Sequence, residues 1–338
     1  MLSERAVQRP ARGSAAGWAL ACVALAAVLL ASVALGSRPV GPAEIWDGLF
    51  HYRGSDTDVV IRDVRLPRTL LGLLVGVSLG LAGAVMQALT RNPLADPGLL
   101  GVNAGAAAAV VSAISFLGVT SFTGYVWFSF AGAAVVSAAV YLLGGGRGAT
   151  PVRLALAGTA ATAALQGYVN AVQLLDTAAL DRLRFWTVGS LASANDTVVW
   201  QVAPFVVVGT VLALALARPL NAMALGDDSS RALGASLTRV RLLAMVTVTL
   251  LCGAATAACG PIVFVGLLVP HLVRSFTGPD QRRLLPWAAV VSPALLLGAD
   301  VLGRLLARPS EVQVGIVTAL LGGPVFVHLV RRRRMAQL

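Results

Sequence analysis

Lysine is absent from this chain, and charged residues of every kind are scarce. Only 12% of the 338 residues are charged, 57% are hydrophobic, and the mean hydropathy is +0.81. Soluble domains average about 25% charged residues, because a surface that faces water needs such groups in quantity. The composition therefore excludes an ordinary soluble domain and indicates a membrane protein.

The absence of lysine also excludes one class of ATP site. A P-loop has the pattern G-x-x-x-x-G-K-[ST], in which the lysine reaches the phosphates. The H-E-x-x-H and G-x-S-x-G patterns are missing too, and His51, His271 and His328 lie in separate segments. We therefore predict that this chain is not an enzyme, with no catalytic residues, no metal site and no cofactor of its own. Energy for uphill transport would have to come from a partner or an ion gradient.

Cysteine is nearly as scarce. Cys22, Cys252 and Cys259 all lie inside apolar stretches, and none of them forms a C-x-x-C pair. An odd number of cysteines without metal-ligand spacing supports neither a disulfide framework nor a zinc site. We expect these residues to act as small apolar packing groups.

Long apolar stretches dominate what is present. A helix needs about 20 residues to cross a bilayer, and ten stretches approach or reach that length. They are Gly17–Leu35, Thr69–Leu89, Gly98–Leu117, Tyr125–Leu143, Val152–Leu175, Val198–Ala217, Val240–Ala258, Pro261–Val273, Leu284–Leu302 and Val314–Val330. We predict an all-α, polytopic membrane protein with about ten transmembrane helices, forming a single domain over residues 1–338. Pro261–Val273 is too short to cross and is expected to be a broken segment buried among other helices.

The distribution of arginine predicts the orientation. The net charge is +11 and all 26 basic residues are arginine. With a cytoplasmic N-terminus, seventeen arginines lie inside and nine outside, which fits the excess of basic residues in cytoplasmic loops. We predict an inner (cytoplasmic) membrane protein with cytoplasmic tails at residues 1–16 and 331–338. The arginines are expected to contact lipid headgroups, not nucleic acid.

Ionisable residues within the stretches are few. Asp300 and Arg304 are spaced i,i+4 and can pair on one helix face, near an end where a charge can snorkel to water. The lack of buried carboxylates argues against a proton-driven carrier, since such carriers keep ionisable groups at midplane depth.

Glycine repeats predict packing surfaces. Gly72, Gly76 and Gly80 recur every four residues, and Gly101 and Gly105 repeat the spacing in the next stretch. Small residues at this spacing let helix backbones approach closely in a bilayer.

One cytoplasmic loop, residues 218–241, is too long for a simple turn. Ala222–Leu225 and Ser229–Leu233 contain helix-forming residues, and Gly226 and Gly234 punctuate them. Two short surface helices here would make a docking knob for a cytoplasmic protein; a merely solvated loop is the alternative that the pattern leaves open.

Several longer motifs occur in a recognisable order. They are RLPRTLLGLLVG from Arg65, FWTVGSL (Phe185–Leu191), ALGDDSSRALG (Ala224–Gly234), GPIVFVGLLVPHLVR (Gly260–Arg274), ADVLGRLL (Ala299–Leu306) and GIVTALLGGPVFVHLVRRR (Gly315–Arg333). In order and spacing they resemble the FecCD-type permeases of binding-protein-dependent ABC importers, the cobalamin and ferric-siderophore class. The resemblance runs from Arg65 to the C-terminus, about four-fifths of the chain.

The resemblance implies a type II ABC importer permease architecture and several partners. It pairs the chain with a second permease subunit, either a second copy or a paralogue, and with a cytoplasmic ATPase dimer that binds ATP and Mg. The residues implied in ATPase coupling are Ala224, Leu225, Gly226, Asp227, Asp228, Arg231, Leu233 and Gly234. The cytoplasmic gate is implied at Thr150, Pro151 and Val152.

The resemblance also assigns a role to arginines at the outer face. Arg65, Arg68 and Arg304 match positions that receive glutamates from the ligand-binding protein, which is periplasmic or lipid-anchored. Charge-assisted arginine–carboxylate pairs suit such a reversible surface. Two positions depart from the pattern: Gln313 stands where the family usually has proline, and Gln281 where it has histidine.

The function expected from the resemblance is import of an iron–siderophore complex by ATP-driven alternating access. Haem and cobalamin permeases share every motif quoted above, so they remain alternatives. An ion-coupled secondary carrier is a third, less supported alternative.

Overall fold

The structure is a computed structural model, and it describes residues 15–36, 40–119, 121–146, 150–226, 230 and 236–335. Every regular element within these ranges is helical, which confirms the all-α prediction. The longer helices are α1 (Ala15–Ala34), α4 (Leu66–Thr90), α5 (Val102–Leu117), α6 (Phe122–Leu143), α7 (Pro151–Leu175), α9 (Asp196–Ala215), α11 (Leu237–Cys259), α12 (Val265–Thr277), α13 (Gln281–Leu306) and α14 (Val314–Met335). The shorter ones are α2 (Pro42–Phe50), α3 (Asp56–Val59), a π-helical turn (Val60–Arg65), a 3₁₀ turn (Pro97–Leu100), α8 (Thr177–Thr187) and α10 (Ala217–Ala224).

Each of the ten predicted apolar stretches lies mainly on one of the longer helices, although Gly98–Leu117 begins in the 3₁₀ turn and Pro261–Val273 begins in a non-helical segment. Six helices in the described part of the chain are long and apolar enough to cross a membrane: α1, α4 together with the turns before it, α6, α9, α11 and α13. Three more apolar helices, α5, α12 and most of α14, are shorter than a full crossing.

The start of α1 and the end of α14 lie at the same end of the bundle. We call this the proximal end and the opposite one the distal end. Helix α10 and the start of α7 are proximal. The last turn of α13, the first turn of α4 and α8 are distal.

Helix α4 is the centre of the bundle and is buried along most of its length. Its glycine stripe faces α13, where an added Cβ at Gly72 or Gly80 would collide with Leu297 or Ser292. One turn further on, a Cβ at Gly83 would coincide with the carbonyl oxygen of Gly266 in α12. The predicted packing role of the stripe is confirmed, because only a glycine backbone permits these approaches.

Helices α5 and α6 cross in a similar way. Gly105 in α5 and Gly132 in α6 face each other, and a Cβ on either would meet the other's carbonyl oxygen. Gly101, predicted to belong to the same stripe, also approaches Val136 of α6, and it caps the start of α5 with φ +71°, a left-handed conformation that glycine adopts without strain.

The short segment around Pro261 is broken, as predicted. The chain is not helical between Cys259 and Val265, and φ is positive at Gly260 (+75°) and Phe264 (+69°). Helix α12 then returns toward the proximal end with Val265, Val269 and Val273 buried. In the non-helical segment before α12, Gly260 and Ile262 are buried but Val263 is 42% exposed, so the prediction that this segment is buried among other helices holds only in part.

The helices that hydropathy did not predict are short and lie at the bundle ends. Helix α3, for example, begins in a capping box in which Ser55 Oγ accepts from the Asp58 N–H (3.2 Å) and Asp58 Oδ2 accepts from the Ser55 N–H (3.1 Å). Such helices depend on caps and packing, so their sequences carry no long apolar signal.

A substitution in the glycine stripe tests this packing. We expect Gly83→Ala to lower the free energy of unfolding by about 1–3 kcal/mol or more, because the new Cβ meets backbone that cannot shift without disturbing the packing of α12. The matched control is Gly298→Ala in α13, whose Cβ would meet nothing within 4 Å; it should be neutral or gain about 0.5–1 kcal/mol. Thermal unfolding of the detergent-solubilised protein measures both, and equal melting temperatures would contradict the assignment.

Candidate functional site

Five charged side chains from distant parts of the sequence meet at the distal end, and we call them the distal charge cluster: Arg65, Arg68, Asp300, Arg304 and Glu311. Arg68 donates from Nη2 to Asp300 Oδ1 (2.8 Å), from Nε to Asp300 Oδ2 (3.1 Å) and from Nη1 to Glu311 Oε2 (2.7 Å). This bidentate geometry is the strongest that an arginine and a carboxylate form. Asp300 also pairs with Arg304 Nη2 at 3.1 Å, which confirms the predicted i,i+4 pair.

Other donors of the cluster bind α1, whereas Arg304 Nε is buried without a hydrogen-bond partner among the described residues. Arg304 Nη1 donates to the carbonyl oxygens of Ser32 (2.9 Å) and Leu35 (2.8 Å). Arg65 Nη1 donates to those of Val33 (2.7 Å) and Ala34 (2.8 Å). These are the last carbonyls of α1, which have no partner within the helix and carry partial negative charge. The cluster therefore joins α1, α4 and α13.

The three arginines predicted to receive a binding protein are brought together but are not surface groups. Arg65 and Arg68 are each 5% exposed, and Arg304 is 2% exposed. The expectation that Asp300 and Arg304 snorkel to water is wrong, because α1 and the 307–313 segment cover that end of α13. Docking through these arginines stays a prediction.

Glu311 is a member of the cluster that sequence reasoning missed. Its side chain is 33% exposed, against 0% for Asp300, so it is the point at which the cluster reaches solvent. Glu311 lies outside every motif described above, and nothing in the sequence indicates that it pairs with Arg68.

At the proximal end, the structure describes the first half of the predicted coupling loop. Helix α10 buries Ala217, Leu220 and Met223 against the bundle. Ala224 ends the helix, Leu225 and Gly226 follow it, and Leu225 is 64% exposed. Asp227, Asp228, Arg231, Leu233 and Gly234 lie outside the described residues. The solvated-loop alternative does not hold for α10, which packs as a helix on the bundle.

Hydrogen bonds fix α10 to the start of α13. Asn221 Nδ2 donates to Asp280 Oδ1 (2.6 Å), and Asn221 Oδ1 accepts from the Gln281 N–H (2.9 Å). Burial raises the pKa of Asp280, but hydrogen bonds from the Arg282 N–H and Asn221, with the nearby arginines, outweigh it and hold the pKa below its usual value. Asp280 is therefore ionised at neutral pH, and the clamp persists.

A cavity of about 310 Å³ adjoins α10. Its walls include Arg91 and Arg274, together with Leu220, Ala224 and Gln281. It therefore offers two cationic side chains directly beside the loop, at the end of α4 and within α12.

The predicted gate residues lie at the proximal start of α7. Thr150 is the N-cap and its Oγ1 accepts from the Arg153 N–H (3.3 Å). Pro151 occupies the first helical position, where its missing N–H costs nothing. Val152 is exposed. The assignment of these residues as a gate stays a prediction.

Helix α7 presents an unusual surface, because polar side chains are exposed along a helix of transmembrane length. Thr159, Gln166 and Asn170 are exposed, and Gln166 Nε2 donates to Asn170 Oδ1 (3.0 Å). Gly167, on the same side, has nothing within 4 Å of the position a Cβ would take. An exposed polar face is costly in lipid, so it indicates contact with water or with another protein.

Three of the sequence motifs converge at the distal end, in what we call the distal junction, formed by residues 186–190, 259–262 and 313–315. The Ser190 N–H donates to the Cys259 carbonyl (2.8 Å), and the Gly315 N–H donates to the Gly189 carbonyl (3.0 Å). A Cβ at Gly189 would collide with the Pro261 carbonyl. The glycines of these motifs therefore serve backbone contact between segments that are far apart in sequence.

Comparison with protein-family models matches residues 24–332 to the FecCD transport family. The chain is 47% identical, over 83% of its own length and 84% of the relative's, to the ferric enterobactin transport system permease protein FepD of Escherichia coli (strain K12). It is 43% identical, over 85% of each chain, to the Fe(3+)-citrate import system permease protein YfmD of Bacillus subtilis (strain 168). It is also 38% identical, over 80% of its length and 83% of the relative's, to the hemin transport system permease protein HmuU of Yersinia pestis.

A solved structure shows the same fold. It is an inward-facing metal-chelate type ABC transporter, 29% identical, with a TM-score of 0.81 over 92% of this chain and 97% of that one.

The distal charge cluster yields a stability prediction. Asp300→Asn should cost about 3–5 kcal/mol, because it leaves Arg68 and Arg304 buried without their shared carboxylate. Asp181→Asn is the control, since Asp181 pairs with Arg184 at 3.3 Å on the surface and should cost about 0–1 kcal/mol. Unfolding titrations in mixed micelles compare the two, and a loss at Asp300 no larger than at Asp181 would rule out a stabilising role for the cluster.

Proposed function

Because this chain belongs to the FecCD transport family, we propose that it is the permease subunit of a binding-protein-dependent ABC importer that carries an iron–siderophore complex across the cytoplasmic membrane. Transport proceeds by ATP-driven alternating access, with both termini of the chain in the cytoplasm. The chain binds no cofactor itself. The ATPase dimer binds ATP and Mg.

The observation that carries this proposal is the exposed polar face of α7. Thr159, Gln166 and Asn170 would be unfavourable against lipid, and they lie beside small residues that allow a second helix to approach. A second permease subunit facing this surface encloses a polar pathway between the two copies of α7, or between α7 and its counterpart in a paralogue. Thr150, Pro151 and Val152 then lie at its proximal mouth and form the gate.

The two ends of the bundle meet different partners. The ATPase binds at the proximal end, where Leu225 projects from a loop held by α10 and the Asn221–Asp280 clamp. The cavity beside α10, with Arg91 and Arg274, accepts acidic groups of the same partner.

The binding protein docks at the distal end, and there its carboxylates compete for Arg65, Arg68 and Arg304. Three arginines face two carboxylates, so the cluster keeps an excess positive charge that attracts an acidic partner. Because the guanidinium groups are buried, the binding protein reaches them only if the cluster partly opens as the protein docks.

The substrate assignment rests on the relatives. Ferric enterobactin and ferric citrate appear in the names of the more similar relatives, at 47% and 43% identity. Hemin and cobalamin appear in the names of relatives at 38% identity. An iron–siderophore complex is therefore the leading substrate, with haem and cobalamin as alternatives that transport assays separate.

Cysteine accessibility tests the pathway on α7. In a Cys22→Ser background, Gln166→Cys should react with a charged, membrane-impermeant thiol reagent in the assembled complex. Val207→Cys, at an exposed apolar position of α9, should react at least about tenfold more slowly, because a thiol in lipid does not form the reactive thiolate. Equal labelling of the two positions would contradict the polar pathway.

Loss of the ATPase tests the proximal interface. Leu225→Asp should reduce retention of the ATPase on affinity-purified permease by about tenfold, since a charge replaces an exposed apolar contact. Arg282→Gln is the control, because Arg282 is exposed at the same end but outside the loop. Full retention by Leu225→Asp would place the ATPase elsewhere.

A further inference from the structure

A groove of about 480 Å³ runs between α6 and α11, and we call it the α6–α11 groove. Its wall on α6 contains the small residues Ala134, Ser137 and Ala138, which share one face of the helix. Larger apolar side chains of α11, among them Leu242 and Val246, form the opposite wall. The groove therefore exists because α6 presents little side-chain volume where α11 presents bulky groups.

The groove is open to the outside of the bundle. On its walls Leu142 is 70% exposed, Leu242 46% and Val246 41%. The neighbouring helix α9 also exposes apolar side chains, including Val207 and Val211. All three helices are long and apolar enough to cross a membrane. An exposed apolar surface on such helices is a surface for lipid, in contrast to the polar face of α7.

The length of the groove matches one leaflet of a bilayer. On α6 it extends from Phe130, whose ring stacks on Phe205 of α9 with 4.5 Å between centroids, to Leu142 near the proximal end. The twelve positions between Phe130 and Leu142 correspond to about 18 Å of helix. The hydrocarbon core is about 30 Å thick, so each leaflet is about 15 Å deep. One acyl chain of the proximal leaflet can therefore lie along the whole groove.

A cationic side chain lies just beyond the proximal end of the groove. Arg239 is exposed and precedes Leu242 and Val246 by three and seven residues, so the three share one face of α11. Among the described residues, no acidic side chain forms an ion pair with Arg239. Tyr141, on the opposite wall near the same end, is of the residue type enriched at membrane interfaces. An apolar groove that ends at an arginine is complementary to a lipid with an anionic headgroup.

We propose that the α6–α11 groove binds an anionic phospholipid of the proximal leaflet. One acyl chain lies between Ala138 and Val246, and the phosphate accepts hydrogen bonds from Arg239. In the orientation proposed above this leaflet is the cytoplasmic one, where basic sites between transmembrane helices bind anionic headgroups. The site itself does not depend on that orientation or on the transported substrate.

The arginine is what makes the site selective. The chain of a neutral lipid fills the apolar walls equally well, so the walls alone predict no preference among headgroups. One arginine at an anionic membrane surface favours binding by about fivefold. Selectivity for an anionic headgroup should therefore depend on Arg239, and occupancy of the groove on its walls.

Photolabelling of the permease–ATPase complex in phosphatidylcholine nanodiscs tests the headgroup contact. The probes are trace amounts of phosphatidylglycerol and phosphatidylcholine that carry the same diazirine-bearing acyl chain, and mass spectrometry of peptides from α6 and α11 locates the label. Phosphatidylglycerol should label the groove about fivefold more than phosphatidylcholine does. Arg239→Gln should make the two probes equal, with labelling by phosphatidylcholine unchanged.

A second variant tests the contact with the acyl chain. Ala138 is exposed on the wall of the groove, so Ala138→Phe fills the groove without entering the core. It should remove most labelling of the groove by both probes. The matched controls are Arg282→Gln, an exposed proximal arginine outside the groove, and Val207→Phe, an exposed apolar position on α9. Both should label as wild type does, and melting temperatures identify any variant that fails to fold.

The outcomes separate an anionic lipid from other occupants. Equal labelling of the wild-type groove by the two probes, or a preference that survives Arg239→Gln, would overturn the anionic phospholipid. Label found only on other helices would overturn the groove as a lipid site. A protein occupant is tested in native membranes with Leu242→Cys in a Cys22→Ser background: cross-linking of this thiol to a second polypeptide would also overturn the proposal, whereas its absence supports a lipid.

Discussion

The carboxylate of Asp300 is the interaction on which the distal end of this bundle depends. It is fully buried and faces two guanidinium groups, one from the start of α4 and one from its own helix, one turn on. A buried ion pair is favourable only when its geometry is good and its remaining donors are satisfied. Here Arg68 also binds Glu311, and Arg65 and Arg304 bind the final carbonyls of α1, so most charges and helix ends satisfy one another. Arg304 Nε is the exception, because it is buried without a hydrogen-bond partner among the described residues.

Close contacts between buried backbone segments recur elsewhere in the described chain. Where the backbone is not helical, it is held by other backbone, as at the distal junction and around Gly260. Where helices cross, glycine lets their backbones approach, as on α4. At the proximal end a single asparagine and a single aspartate fix α10. The bundle is therefore rigid where it is buried, while the exposed surface of α7 and the loop after α10 present the groups that meet partners.

Much of this architecture could be predicted from the sequence. Ten apolar stretches give the longer helices, the short length of Pro261–Val273 predicts its broken conformation, and the glycine spacing on α4 predicts its packing face. These features are local or periodic, so a single stretch of sequence contains them. The spacing of Asp300 and Arg304 likewise fixes their pairing within one helix.

What could not be predicted depends on contacts between distant segments. Arg68 and Glu311 are far apart in sequence, and no periodicity reports that they meet. Burial of Arg65 and Arg304 depends on α1 covering them, whereas charge counting alone suggests surface groups. The distal junction is missed for the same reason, since Gly189, Pro261 and Gly315 belong to separate motifs. The family membership itself was visible in the motifs, because their order along the chain is specific.

The way in which α1 is attached has a consequence for how its sequence can change. Arg65 and Arg304 bind carbonyl oxygens of α1, which every amino acid possesses, and few side chains along the helix are fully buried. Ser32 is the exception, because its buried hydroxyl bonds Arg304 and Thr69. Apart from Ser32, mutations can therefore accumulate in α1 with little cost, so long as the helix stays apolar and ends at the same depth. The match to the family begins at residue 24, midway along this helix. Helix α1 is consequently the part of the protein where drift, or a replacement helix from another source, meets the least resistance.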